Sequence, residues 1–558
     1  MKEFNKQDKW LKNLTDKTLP KPVENILGLG QKFNLKVSNE NTPTAKIIAG
    51  LEPMIHKLPQ TAERIELRNK LCNILTNHKK ARTRKSTLDV VINEQFNITK
   101  EFITNNPDVI VLNADKGNVT VLLPKEQYVT KMGELLKDHK IKDTIIPDGY
   151  VLVSLDVVSL FTNIPSELVY KAIDKRWFQI KKFTTLPKKE FLEGLKVVLE
   201  NCTFSFNDII YHQIFGSPMG SPVSPVVADL VMEMVEDEAF NKYKSRTPFY
   251  YRYVDDSCTS CPENKMEELL NTFNSINQHI QFTMEIESSN QIAFLDTLVI
   301  RDNTGKITTN WYHKATWSGR YLNFHSSLPF SYKKNTIAIL TERMLKLASP
   351  TYHRENCELI KQTLLKNNYP AKLLENVIDK VILNFDKPKD KKDKSDKKYV
   401  SIPYVDGLFE KIKSLFKQYD IQVVGKGDHT LQQKLFTKLK DAIPVQLQSG
   451  LIYKVVCTCG KVYIGQTIQR LQKRLEGHRY NCKIGNKQHS ALCEHLIETQ
   501  HQLNWDDVKI LCKEPKKRNR DVMEMIAIKT TANVINKQQE CKFLSNTYNN
   551  VIKDTFKC

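Results

Sequence analysis

The chain has 558 residues, a formal net charge of +21 and a sequence pI near 9.2. This length is too great for one hydrophobic core, so the sequence predicts three or four domains. No apolar run approaches the roughly 20 residues that cross a bilayer, so we expect no membrane partner. The basic surplus instead favours a polyanionic partner, most simply a nucleic acid.

The first residues, MKEFNKQDKWLKNL, are polar and lack the apolar segment of a secretory signal. Twelve cysteines are spread along the chain without the dense spacing of a disulfide framework. We therefore expect an intracellular protein with reduced thiols and one metal site.

Hydrophobic periodicity and turn residues predict a mixed order of helices and strands. Apolar spacing indicates basic helices in 1–85, and the helical pattern returns in 327–383. The predicted elements between these regions are two strands in 108–124, a buried strand in 150–161, a helix in 222–240, and hairpins in 249–260 and 292–314.

The stretch DKPKDKKDKSDKK, residues 386–398, has no apolar residue and is predicted to be a linker or a solvated loop. After it, 450–467 is predicted to be a β-hairpin, and the following helix places Arg474 and His478 one turn apart.

Three aspartates lie where apolar strands end. Asp156 follows one buried strand, and Asp255 and Asp256 sit at the tip of the hairpin FYYRYVDDSCTS. If the strands pair, the carboxylates offer hard oxygen ligands for Mg²⁺, the ion that serves in-line phosphoryl transfer. Because successive strand residues face opposite sides, we expect Asp255 rather than Asp256 to be the full ligand.

These motifs resemble those of a known enzyme class. Tyr-Val-Asp-Asp at 253–256, SLDVVSLFTNIP around Asp156 and GSPMGSPVSP at 216–225 resemble, in order, the palm motifs of reverse transcriptases. With FLDTLVI, and with the N-terminal segments at 13–33 and 113–123, this set of motifs is similar to that of the Penelope-like retroelements, which are related to telomerase. The resemblance implies that Asp156 and Asp255 hold Mg²⁺ or Mn²⁺ and that Asp256 supports them.

The same resemblance implies contacts to nucleotide and template. Phe161 would lie under the incoming sugar and favour deoxynucleotides, although a core aromatic is the alternative. Gly220 would allow close approach of template or base, and Ser224 would shape the start of the next helix. Lys116 would reach the triphosphate, or would be an ordinary turn lysine.

A second set of residues near the C-terminus resembles the GIY-YIG endonuclease family. It consists of Gly450, Tyr453, Tyr463, Gly465, Arg474, His478 and Glu524. The first triplet departs from the pattern because it reads Leu-Ile-Tyr, with Gly450 one position early. Cross-strand packing of the two tyrosines is the plainer alternative.

The resemblance assigns phosphodiester hydrolysis to this set. Tyr453 would activate water with Tyr463 nearby, and Arg474 would grip the phosphate. Glu524 would hold a divalent Mg²⁺ or Mn²⁺, and Asn536 would close the site.

A Zn²⁺ site is predicted in the same region. Cys457 and Cys459 in the hairpin, with His495 and His501 further on, make a two-thiolate, two-imidazole set. Buried thiols and surface histidines are the alternative. Other residues that could replace a ligand are His489, Cys482, Cys493 and Cys512.

The interval between the strand pair at 108–124 and the strand at 150–161 is shorter than the Penelope-like resemblance implies. Residues 124–150 carry no match to the segment that completes the fingers in that family. We therefore expect reduced fingers and weak or absent primer extension.

Together these patterns predict an α+β multidomain chain: a right-hand polymerase palm and thumb with reduced fingers, followed by a small α/β GIY-YIG nuclease domain. The expected divisions are a helical N-terminal region at 1–85, a fingers remnant at 86–148, a palm at 149–314, a helical thumb at 315–385, a charged linker and connector at 386–448, and the nuclease at 449–558.

The expected function is target-primed reverse transcription in the nucleus. The nuclease would nick target DNA, and the polymerase would copy an RNA template with dNTPs. Two alternatives stay open: a truncated copy whose polymerase half only binds nucleic acid while the nuclease still cuts, and a non-catalytic nucleic-acid-binding protein. A group II intron maturase fits less well because it would not normally carry this nuclease. The sequence leaves the oligomeric state open.

Overall fold

A computed structural model gives the fold. It describes residues 10–81, 86–106, 108–113, 120–124, 145–206, 209–218, 221–387, 398–437, 442–505, 507–541 and 543–553. Within these ranges, no helix is both long enough and apolar enough to cross a bilayer.

The N-terminal part is mainly helical, as the periodicity predicts. A Ser86–Asp89 capping box fixes the start of the fourth helix by satisfying backbone N–H groups on both sides of the cap. The two strands expected in 108–124 are confirmed, and they pair antiparallel. The elements are β1 (Leu11–Asn13), α1 (Lys21–Gly28), α2 (Thr44–Ile55), α3 (Thr61–Lys80), α4 (Thr87–Asn105), β2 (Val109–Asn113) and β3 (Thr120–Pro124).

The central part is built on a four-stranded antiparallel sheet of order β7-β8-β4-β9. The predicted helix at 222–240 and the hairpin at 249–260 are both confirmed. The elements of the central part are β4 (Tyr150–Val157), α5 (Leu160–Asn163), α6 (Ser166–Ile180), α7 (Lys188–Glu200), β5 (Thr203–Phe206), β6 (Ile209–His212), α8 (Ser224–Lys242), β7 (Tyr250–Tyr253), β8 (Asp256–Pro262), α9 (Met266–Asn274) and β9 (Phe282–Ile286).

Strand β4 is buried on both faces. Val153 and Leu155 point into one apolar cluster with helices α6, α8 and α9, whereas Leu152 points into a second cluster on the opposite face. The second cluster belongs to a meander of β10 (Gln291–Phe294), β11 (Thr297–Arg301) and β12 (Ile307–Trp311). By alternation, Asp156 shares the face of Leu152, away from the helices, and it is exposed at the strand's end.

Three helices with a core of their own follow the meander, which confirms the helical prediction for 327–383. They are α10 (Phe330–Leu347), α11 (His353–Lys366) and α12 (Ala371–Leu383). Ile337, Leu364 and Ile378, one from each helix, are buried together in this core.

The region expected to be a connector contains a folded unit. Residues 388–397 of the predicted linker lie outside the described residues, but β13 (Lys398–Pro403), α13 (Phe409–Lys417) and β14 (Ile421–Lys426) form a parallel βαβ unit, followed by α14 (Leu431–Lys434). The expectation of a charged connector is therefore corrected for 398–434. The reason is that apolar residues such as Ile402 and Phe416 return after the lysines and are fully buried.

The C-terminal part is a three-stranded sheet of order β16-β15-β17 with helices around it. The predicted hairpin at 450–467 is confirmed. The elements are β15 (Leu451–Val456), β16 (Val462–Thr467), α15 (Leu471–Lys483), α16 (Ala491–Thr499), β17 (Lys509–Lys513), α17 (Lys517–Thr530) and α18 (Asn549–Ile552).

One apolar cluster joins the two ends of the chain. It contains side chains of α2 and α3, of the βαβ unit, and of α17 and α18. Within it, the buried Glu52 forms an ion pair with Arg68 and accepts a hydrogen bond of 2.6 Å from the hydroxyl of Tyr548. The C-terminal part therefore shares its core with the N-terminal helices.

We predict that Glu52→Ala lowers the free energy of unfolding by about 3–5 kcal/mol, because it leaves the Arg68 guanidinium buried without its counter-charge. Thermal and urea unfolding of the full chain would measure the loss. Glu66→Ala is the matched control. Glu66 pairs with Lys70 on the exposed side of α3, the helix that carries Arg68, so its loss should change the free energy of unfolding little. Equal losses in the free energy of unfolding would contradict a stabilising role of Glu52 in the shared core.

Candidate functional site

The register of the central sheet brings the three aspartates together. Asp156 and Asp256 are Cα partners across the β4–β8 pair, which places their Cα atoms about 4.5–5.5 Å apart on one face. Asp255 lies in the turn, and its carbonyl accepts a 3.2 Å hydrogen bond from the backbone N–H of Val157 on β4. Because Asp255 is a turn residue, strand alternation does not rank it against Asp256.

The turn that carries the acidic pair has an unusual backbone. Tyr253 pairs with Asp256, so Val254 and Asp255 form a two-residue hairpin turn. Val254 has φ +57°, which is costly for a β-branched residue and persists only where the surroundings impose it. Such strain collects at functional sites, and here it lies at the tip that presents the carboxylates.

The loop before α8 packs against the turn after Asp156. The backbone N–H of Ser217 donates a 2.6 Å hydrogen bond to the carbonyl of Phe161, which is half-buried in α5. A side chain at Gly216, where φ is +78°, would meet the carbonyl of Thr162 at 2.4 Å. Gly216 therefore permits a close contact that any other residue would block.

Ser224 holds this loop in place. Its buried hydroxyl donates a 2.6 Å hydrogen bond to the carbonyl of Pro218 and accepts one of 2.7 Å from Ser217. Two other residues of the nucleotide-binding prediction, Gly220 and Lys116, lie outside the described residues. Sequence patterns did not single out Ser217 and Gly216, although the Gly-Ser-Pro motif indicates a tight loop.

The donors at this site are carboxylate oxygens, which suit Mg²⁺ or Mn²⁺. The three aspartates do not form a group of potential metal ligands whose ligand atoms all lie within 4.8 Å of one another. Among the described residues, the group of potential ligands whose atoms all lie within 4.8 Å of one another is in the C-terminal part. It consists of Cys457, Cys459, His495 and His501. An open carboxylate edge leaves coordination positions for substrate oxygens.

Several residues of the C-terminal part that the sequence predicts to be functional lie close together against the β15–β16 hairpin. The hydroxyl of Tyr453 lies 3.0 Å from Nε2 of His478, and both residues are completely buried. The ring of Tyr463 contacts His478 edge-on, and the guanidinium of Arg474 lies beside both tyrosine hydroxyls. Nε of Arg474 is buried without a hydrogen-bond partner among the described residues.

Burial keeps Tyr453 and His478 uncharged, and the neighbouring Arg474 cation adds to this effect for His478 only. Burial raises the pKa of Tyr453 to about 12, against the opposing effect of Arg474. Burial, Arg474 and His489 lower the pKa of His478 to about 3. The pair is therefore a neutral phenol and a neutral imidazole at physiological pH.

Gly465 is required where β16 passes Tyr453. A Cβ at this position would lie 2.7 Å from the Tyr453 hydroxyl oxygen and 2.9 Å from the Tyr463 ring. The glycine of the Tyr-Ile-Gly motif thus makes room for both rings. Gly450 has φ +64° and precedes β15 directly, so the early glycine leaves Tyr453 within the strand.

Glu524 on α17 faces the same interior. Burial raises the pKa of Glu524 to about 7, whereas its hydrogen bond from Gln466 lowers it. Nε2 of Gln466 donates 2.7 Å hydrogen bonds to both Glu524 and Asp521, and its Oε1 accepts from Arg520. Gln466, which directly follows the Tyr-Ile-Gly motif, is not singled out by any sequence pattern.

Asn536 anchors the outer strand of this hairpin. Its side-chain amide exchanges hydrogen bonds of 2.8 and 2.9 Å with the backbone N–H and carbonyl of Ile464, and it also donates to Glu540. Asn536 is therefore placed to hold β16 in position.

The four predicted zinc ligands come together. The ligand atoms of Cys457, Cys459, His495 and His501 all lie within 4.8 Å of one another. Nε2 of His495 lies 3.4 Å from Sγ of Cys457, 3.6 Å from Sγ of Cys459 and 3.4 Å from Nδ1 of His501. Tetrahedral Zn²⁺ with bonds of about 2.0–2.3 Å would separate its ligand atoms by about 3.3–3.8 Å, so the set fits that ion.

The four alternative ligands lie away from this cluster. Cys482 and Cys493 face each other with their Sγ atoms 3.1 Å apart, and His489 stacks edge-on against His478. Cys512 packs at the edge of the apolar cluster that joins the chain ends.

Comparison with known proteins gives partial matches. A family described as the animal helix-turn-helix domain matches residues 320–379, which include α10 and α11. No curated protein matches the chain.

Similar solved structures are nucleic-acid polymerases. Telomerase from Candida albicans, in complex with a fragment of telomeric RNA, is 12% identical with a TM-score of 0.31, covering 63% of this chain and 54% of that one. A truncated apo telomerase from Candida tropicalis is 13% identical with a TM-score of 0.25, covering 46% of each chain. The RNA-dependent RNA polymerase of a human picobirnavirus is 13% identical with a TM-score of 0.31, covering 42% of this chain and 44% of that one.

This chain therefore spans about half the length of these polymerases. The TM-scores describe only a slight overall likeness.

We predict that the purified full chain carries about one Zn²⁺, because four ligand atoms stand at tetrahedral spacing. Metal analysis by mass spectrometry should show that Cys459→Ser loses it. Cys202→Ser, which alters a free cysteine of the central part, is the control and should keep the metal. A folded wild-type chain without zinc would contradict the site.

We also predict a pH-dependent stability that originates at Glu524. In metal-free buffer the folded chain holds a proton that the unfolded chain releases, so stability falls as pH rises from about 4.5 to about 7. Glu524→Gln should remove up to about 3 kcal/mol of this fall. Urea unfolding across this range would measure it, with the exposed Glu498→Gln as a control. Parallel profiles for wild type and Glu524→Gln would refute the assignment.

Proposed function

We propose that this chain is a Penelope-like retroelement protein with two phosphoryl-transfer sites: an RNA-directed DNA polymerase and a GIY-YIG DNA-nicking endonuclease. The observation that carries the polymerase assignment is the β4–β8 register, which sets Asp156 opposite the acidic hairpin. A strand end and a hairpin tip that offer three carboxylates at one open edge are suited to nucleotidyl transfer.

At the polymerase site, each residue has a role in holding substrate. Asp156 and Asp255 would ligate divalent cations, and Asp256 would support them from the neighbouring strand position. Bound Mg²⁺ or Mn²⁺ would neutralise the charge that develops on the transferred phosphoryl group. Phe161, fixed by Ser217 at its carbonyl, would lie under the deoxyribose of the incoming nucleotide.

At the nuclease site, the buried neutral pair of Tyr453 and His478 supports water activation. For Tyr453 to activate water, its hydroxyl proton would pass to Nε2 of His478, 3.0 Å away, as the phenol oxygen takes the proton from water. Arg474, beside both tyrosine hydroxyls, would grip the scissile phosphate with its guanidinium. Glu524 would hold the divalent cation, and the zinc cluster would tie the tip of the hairpin to α16.

These two activities fit one sequence of events. A nick in target DNA frees a 3′-hydroxyl, and that hydroxyl primes copying of an RNA template with dNTPs. The net charge of +21 suits contact with both nucleic acids. A nuclear location follows from this proposal.

The short fingers interval bears on how well the polymerase works. Residues 125–144 of that interval lie outside the described residues. Few residues separate β3 from β4, so we expect distributive synthesis with short products. A chain whose polymerase half only binds nucleic acid, with nicking retained, is the second candidate function.

We predict weak primer extension on an RNA template with Mg²⁺ or Mn²⁺ and dNTPs, because the fingers are short but the carboxylates are in place. Asp255→Asn should abolish it. Asp302→Asn is the control, since Asp302 lies in the β11–β12 turn and hydrogen-bonds only its neighbours there. Extension that is insensitive to Asp255→Asn would reject this polymerase site; complete absence of extension would favour the second candidate.

We predict that Gly465→Ala abolishes nicking of supercoiled DNA, because the added methyl group would displace Tyr453 and Tyr463. Gly477→Ala, on the open side of α15 with no atom near its Cβ, is the matched glycine control and should nick normally. Gel analysis of plasmid relaxation would measure both. Normal nicking by Gly465→Ala would contradict the tyrosine assignment.

A further inference from the structure

Arg252 is a charged residue in the middle of an aromatic strand. It lies on β7, and its side chain is only 10% exposed. Burying a guanidinium is unfavourable unless its N–H groups find partners. Two carboxylates of α8 supply them: Nε donates to Glu236, and Nη1 donates to Asp229 at 2.9 Å.

A third contact of Arg252 reaches the acidic turn. Nη1 also donates a 3.3 Å hydrogen bond to the carbonyl of Val254, the residue with φ +57°. The next carbonyl, that of Asp255, is bound by the N–H of Val157. Both carbonyls at the centre of the turn are therefore held, one from α8 through Arg252 and the other from the strand that carries Asp156.

A tyrosine fixes the orientation of this network. The hydroxyl of Tyr250 donates to Glu236 at 2.9 Å and lies 2.9 Å from the hydroxyl of Ser257 on β8. Burial raises the pKa of Glu236, and Arg252 opposes this by favouring the ionised form. Glu236 thus binds the side chains of both Tyr250 and Arg252 on β7.

We propose that Arg252 is a positioning residue that clamps the strained Val254–Asp255 turn to α8 and so presents Asp255 and Asp256 beside Asp156. This inference rests on the proposed polymerase function, and Arg252 acts in it through the backbone of Val254. The side chain of Val254 packs against the core of the central part, so that core and the Arg252 contact together impose the left-handed backbone.

The first test measures Mn²⁺ binding by electron paramagnetic resonance in the full chain, corrected by the Asp255→Asn chain for ions bound elsewhere. We expect Arg252→Met to weaken Mn²⁺ binding about tenfold, the lower end of what the loss of a supporting residue around a metal site typically costs. Arg252→Lys keeps the charge but cannot make the forked contacts, so it should also weaken binding. Unchanged affinity in both variants would overturn the proposal.

Arg176→Met is the matched control. Arg176 of α6 pairs with Glu233 of α8 at 2.8 Å, on the helix that also carries Asp229 and Glu236. Its loss should leave Mn²⁺ affinity unchanged. An equal loss of affinity in Arg176→Met would show that any ion pair on α8 has this effect, and would overturn a specific clamp.

Compensation separates positioning from general stability. Glycine adopts positive φ without strain, so Val254→Gly should let the turn form without the clamp. In the Arg252→Met background it should restore a measurable part of the Mn²⁺ affinity. Failure to restore any would contradict action through the turn.

Hydrogen exchange makes the outcome independent of polymerase activity. If the wild type neither binds Mn²⁺ nor extends primers, the proposed polymerase function fails. Exchange of the Asp256 amide in Arg252→Met, compared with Arg176→Met, still reports on the turn. Faster exchange in Arg252→Met alone supports the clamp, and equal exchange overturns it.

Discussion

The antiparallel pairing of β4 with β8 is the constraint on which the central part of this protein depends. Val153 and Leu155 are buried against the helices, and Leu152 is buried against the meander, so the strand is fixed on both faces. A slip of one residue would send every apolar side chain to the wrong side. Register set by burial therefore also sets the position of Asp156 opposite Asp256, where burial ends and the open edge begins.

The second constraint is the apolar cluster that joins the ends of the chain. Helix α17 carries Glu524 on one side and packs against the N-terminal α2 with its apolar residues. The residues proposed for nicking are thus held on a scaffold that begins about 400 positions earlier in sequence, and the ion pair of Glu52 lies inside it. The C-terminal part is therefore integrated into the protein rather than appended to it.

Much of the fold could be predicted from local sequence, because alternation and turn residues determine hairpins. The hairpins of Tyr253–Asp256 and Tyr453–Tyr463 are of this kind. The grouping of Cys457, Cys459, His495 and His501 was also predictable, since thiol and imidazole side chains at a hairpin tip and a nearby helix suggest one ion. In each case the signal lies within a few dozen residues.

What could not be predicted depends on tertiary contacts. The role of Arg252 depends on its ion pair with Glu236 on another element, and the strain at Val254 is imposed by packing. The βαβ unit at 398–426 was hidden by the lysine run before it, and it folds because α2 covers it. Gln466 looks ordinary in sequence, and only the approach of α17 shows that its amide joins two carboxylates.

The most direct test of the central claim is anomalous X-ray scattering from crystals of the full chain grown with Mn²⁺. The register of β4 and β8 predicts an anomalous peak at the open edge of the sheet, within bonding distance of Asp156 and of the hairpin aspartates. Mn²⁺ bound at other sites in the crystal but absent from this edge would contradict the account.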